Sequence, residues 1–96
     1  MSEHDVDRTV KELRDEIAAV DLAILADVNA RIELVARIRS YKAEAGLPFV
    51  DRDRERELIA ALDLQNAGPL SDDGLRELYL YLLDLTKREV GLDGAG

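Results

Sequence analysis

The sequence predicts an all-α protein: three helices per chain, the first very long, assembled with a second copy into an intertwined homodimeric helical bundle. Glycine and proline cluster at only three places, "AGLPF" (45–49), "NAGPL" (66–70) and "GLDGAG" (91–96). The stretches between them are rich in Ala, Leu, Glu, Arg and Asp with few β-branched alternations, which favours helix. The first stretch is the second observation. About 40 residues make roughly 60 Å of helix, twice what a small domain spans, and two helices of 15 to 20 residues do not cover it. Its apolar residues Val10, Leu13, Ile17, Val20, Ile24, Val28, Val35 and Ile38 recur at spacings that hold one stripe. A stripe of that length needs a second copy of itself to cover it.

Helices are expected at about 5–45, 51–65 and 71–90 of a single domain covering 1–96, with the tail 91–96 flexible. Asp51 is placed to cap the second helix, and Ser71 the third, with Leu70 and Leu75 spaced as a hydrophobic staple.

Composition excludes several classes of function. No run approaches the ~18 to 20 apolar residues of a membrane span, and the amino terminus has neither the basic start nor the apolar run of a targeting peptide. A soluble, cytoplasmic protein is expected. The absence of cysteine removes disulfides, thiolate metal sites and cysteine nucleophiles. The single histidine, His4, falls in a terminus expected to fray, so neither histidine acid/base chemistry nor a histidine metal site is expected. A net charge of −8 argues against nucleic acid as a partner, and any anion site must be a local basic pocket working against that charge.

Polar residues interrupt the apolar faces. Leu13, Ile17, Ile24, Val35 and Ile38 all fall within about 40° of position 31 on a helical projection, so Arg31 and Lys42 lie mid-stripe, about 16 Å apart along the axis. On the second helix Glu55 falls between Leu58 and Ile59, and on the third Thr86 falls close to Leu75 and Leu82. Buried unpaired charge is costly, so these groups must pair with one another or with a polar ligand. One reading is a structural network of Arg31, Lys42 and Glu55, or side chains reaching out to water. The other is a pocket whose two cations exceed its one carboxylate and attract an anion. Arg14 lies roughly 25 Å along the helix from Arg31, so it serves the same small ligand only from a partner chain.

The segments "LRDEIAAVDLAIL" (13–25), "RIELVARIRSYKAEAGLPFVDRDRERELI" (31–59) and "GPLSDDGLRELYLYLLDLT" (68–86) resemble the all-helical chorismate mutases in order and spacing. The resemblance implies a small isomerase that rearranges chorismate to prephenate without metal or cofactor, in phenylalanine and tyrosine biosynthesis. Arg14 then looks like the arginine that crosses from the partner subunit to a substrate carboxylate, and Arg31 like the one gripping the other carboxylate. Lys42 resembles the lysine on the ether oxygen and enolpyruvyl carboxylate, and Glu55 the acceptor for the ring 4-hydroxyl. Asp51 and Arg54 match the family's second-helix start, and Thr86 stands where serine is common.

One position departs from the pattern. Val90 stands where the family commonly has a glutamine or protonated glutamate donating to the ether oxygen; Glu89 is adjacent but about 100° away. Losing such a donor costs ~2.7 to 4 kcal/mol. The departure implies a weak mutase, one helped by an activating partner enzyme, or one with a changed substrate. Isochorismate pyruvate-lyase and 4-amino-4-deoxychorismate mutase are the alternatives within the fold, and a non-catalytic ligand- or partner-binding domain is the alternative outside catalysis.

Overall fold

The structure, a computed structural model, describes residues 1–91 of the chain. It consists of α1 (Glu3–Glu44), α2 (Arg52–Gln65) and α3 (Asp72–Glu89), with no strand among the described residues. No helix of these residues is long and apolar enough to cross a membrane. The part of the expected flexible tail at 92–96 lies outside the described residues. The chain divides into two compact units, Met1–Arg31 and Ile32–Gly96, and α1 runs through the boundary.

In the first unit α1 begins at Glu3, ahead of residue 5, because "SEHD" forms a reciprocal cap. Asp5 donates its backbone N–H to Ser2 Oγ at 3.2 Å, while the Ser2 hydroxyl donates to Asp5 Oδ2 at 3.0 Å. His4 therefore lies in the exposed first turn of α1. The apolar series is uncovered: Leu13, Ile17, Val20 and Ile24 are each more than half exposed. No residue of α1 is buried.

The second unit holds the α2–α3 pair. α1 ends at "AGL": Gly46 takes φ +70, Leu47 donates its backbone N–H to the Lys42 carbonyl at 2.8 Å, and Gly46 to that of Ala43 at 3.2 Å. This glycine-terminated cap suits a residue without Cβ and leaves Lys42 in the last turn, where a cation complements the helix dipole. Asp51 caps α2, its Oδ1 accepting from the Arg54 N–H at 3.0 Å, and Ser71 caps α3, its Oγ accepting from the Gly74 N–H at 3.0 Å. Between them Asn66 organises the turn. Its side chain donates to the Leu70 carbonyl at 2.8 Å and accepts from the Gly68 N–H at 3.0 Å. α3 buries Leu75, Leu83 and Thr86, and half-buried Leu58, Ile59 and Leu62 line the matching face of α2.

Candidate active site

Lys42 is half-buried at the end of α1 and shares a cleft of about 450 Å³ with Leu47, Pro48, Val50, Asp51, Arg52 and Asp53. The cleft has an apolar rim from the Leu47–Pro48 turn and a mixed charged wall from the start of α2. Asp51 has its Oδ1 engaged by the helix cap, while Lys42 forms no ion pair among the described residues. The structure thus brings Lys42 and Asp51 to one cavity. Arg54, at the cap but outside that lining, is exposed and stands 3.9 Å from Glu57. A surface pair at that distance contributes little.

Glu55 is half-buried, as its place on the inner face of α2 requires, but its partner is neither Arg31 nor Lys42. Lys87 Nζ stands 2.7 Å from Glu55 Oε1, and each side chain is 25% exposed. Lys87 went unrecognised in the sequence, although a signal existed: a helical hairpin sets the start of α2 beside the end of α3, where the last turn carries Lys87 and Arg88.

Thr86, next to Lys87, is 2% exposed. Its hydroxyl donates to the Leu82 carbonyl at 2.7 Å, so the polar group on this buried face is satisfied within its own helix. Val90 closes α3 with its N–H donating to the Thr86 carbonyl at 3.0 Å. The register is therefore unbroken: Val90 stays half-buried on the Thr86 side and Glu89 is exposed. Arg39, also missed in the sequence, donates through Nη1 to the Val90 carbonyl. It satisfies a carbonyl that the helix end leaves without an intrahelical partner.

Arg14 and Arg31 belong to the first unit. Arg14 is exposed on α1, and Arg31 is half-buried and engaged in an interaction. Among the described residues no group of three or more His, Cys, Asp or Glu side chains is arranged to hold a metal ion.

Three helices of these lengths, with a lysine-bearing cleft at the α1–α2 connection, make an all-helical fold that known proteins share. The profile of the family described as chorismate mutase type II matches residues 13–90. The chain belongs to that family. It is 45% identical over 78 residues to the bifunctional chorismate mutase/prephenate dehydratase of Aquifex aeolicus (strain VF5), covering 77% of this chain and 22% of the relative. It is 41% identical over 49 residues to the T-protein of Enterobacter agglomerans, covering 51% and 13%. The chain thus spans under a quarter of the length of these curated relatives. A solved chorismate mutase (form I) from Thermus thermophilus superposes with a TM-score of 0.80 at 33% identity, over 81% of this chain and 98% of that one.

Proposed function

We propose that this chain is a chorismate mutase, an isomerase that converts chorismate to prephenate by an intramolecular Claisen rearrangement. The observation that carries the reading is Lys42 and Asp51 on one cleft, within the segment that the family profile covers. The reaction breaks the ether C–O bond as a C–C bond forms between the enolpyruvyl methylene and the ring. It needs no nucleophile, so catalysis consists of folding the enolpyruvyl arm over the ring and stabilising charge on the departing oxygen. In this reading Arg31 and Arg14 hold the two carboxylates, Lys42 donates to the ether oxygen, and Glu55 accepts from the ring hydroxyl. Asp51 and Arg54 complete the helix-start contacts, and Thr86 and Val90 form the α3 wall.

The site is shared between two chains. Arg14 is about 25 Å along α1 from Arg31, too far for one small dianion. The exposed stripe on α1 supports the pairing: an uncovered run of Leu13, Ile17, Val20 and Ile24 is the surface that a second α1 would bury. The protein works in the cytoplasm, where the aromatic amino acid pathway supplies its substrate.

Val90 favours low intrinsic turnover. An isopropyl group donates no hydrogen bond, and the exposure of Glu89 beside half-buried Val90 supports Val90 as the residue that faces the site. That leaves room for an activating partner enzyme, or for isochorismate or 4-amino-4-deoxychorismate as substrate. Incubation of purified protein with each of the three, following prephenate, pyruvate or the amino product, tests the reading. Prephenate from chorismate is expected. Tight binding without conversion of any of them would instead support a non-catalytic binding domain.

A further inference from the structure

The ion pair joining α2 and α3 bears on which ring substituent the site accepts. Glu55 lies in the first turn of α2 and Lys87 in the last turn of α3, with Nζ and Oε1 2.7 Å apart and both side chains three-quarters covered. The ammonium engages one carboxylate oxygen. A carboxylate has two oxygens and about four lone-pair sites, so Glu55 keeps capacity for a second donor.

What kind of donor that is depends on Lys87. A partly buried carboxylate standing alone attracts cations, and would favour a ring ammonium over a ring hydroxyl. An alkyl amine is cationic in neutral water, whereas a hydroxyl is not. With Lys87 in contact the carboxylate's charge is already balanced. An incoming ammonium would bring a second positive charge to the same carboxylate, while a hydroxyl would add a hydrogen bond without repulsion.

We propose that Lys87 is a specificity-determining residue: paired with Glu55, it makes the site select an uncharged hydroxyl over a cationic amine on the substrate ring. This rests on the reading above that Glu55 meets the ring. A purely structural role, tying α3 to α2 and complementing the α3 dipole, would change stability and leave the preference between the two substituents alone.

The test measures binding by calorimetry and turnover by product formation, for chorismate and 4-amino-4-deoxychorismate, in the wild type, Lys87→Met and Lys87→Arg. Lys87→Met is expected to shift the ratio of the two dissociation constants toward the amine by about tenfold or more, and Lys87→Arg to keep the wild-type ratio. Should Lys87→Met fail to fold, Lys87→Gln gives the same readout with a polar replacement. An unchanged ratio in a folded, uncharged variant overturns the proposal, even where the wild type makes prephenate. A shifted binding ratio without turnover of either ligand supports it and overturns the mutase reading instead. A wild type that binds neither ligand overturns both.

Discussion

In the proposed mutase, single positions govern the chemistry, Val90 and Glu55 first among them. There Val90 takes the place of a donor and offers none. Restoring one with Val90→Gln should raise kcat, by up to about a hundred to a thousandfold, measured by chorismate consumption. High wild-type turnover that Val90→Gln leaves unchanged would contradict the assignment. Glu55→Ala should lower kcat/KM by about ten to a hundredfold, the worth of a hydrogen bond to a charged group. Glu57→Ala, removing only an exposed contact 3.9 Å from Arg54, should leave it unchanged. Helical geometry alone separates these neighbouring glutamates, because 3.6 residues per turn sends one inward and the other to solvent. It did not identify Lys87 as the partner of Glu55 or Arg39 as the partner of Val90. Both contacts join residues of different segments, and a single helical projection carries no information about the segment lying opposite.

At the scale of elements, punctuation in the sequence located all three helices. "AGLPF" becomes a glycine-terminated cap at Gly46, and Asp51 and Ser71 become caps through their side chains. The start of α1 was less legible. "SEHD" contains the capping pair, but at a chain terminus its pattern reads equally well as fraying. Gly46→Ala should cost about 1 to 2 kcal/mol, since φ +70 places a Cβ in the left-handed region; denaturant titration measures it. The α1 stripe has its own test. Ile17→Asp puts a charge on the exposed apolar face and should shift the protein from dimer to monomer in sedimentation. If the protein with Ile17 intact is already monomeric, α1 does not pair.

For the whole molecule, the decisive fact is how little the single chain buries. Leu75, Leu83 and Thr86 are the buried residues among those described, all on α3, while α1 buries none. A domain of this size ordinarily buries well over half of the surface that its unfolded chain exposes, and the exposed first helix is the surface on which the proposed pairing rests. The sequence carries the same expectation as a stripe too long for the rest of the chain to cover. In the proposed site the same separation assigns the ligands of a small dianion to two subunits, since Arg14 and Arg31 stand several helical turns apart on α1.

The most direct test of this account mixes Arg14→Ala and Arg31→Ala chains, each inactive alone, under conditions that exchange subunits, and follows prephenate formation from chorismate. A mixed dimer has one site with both arginines and one with neither. Random exchange of equal amounts should therefore restore about a quarter of the wild-type activity. Mixed dimers that form and restore no activity would contradict the shared site.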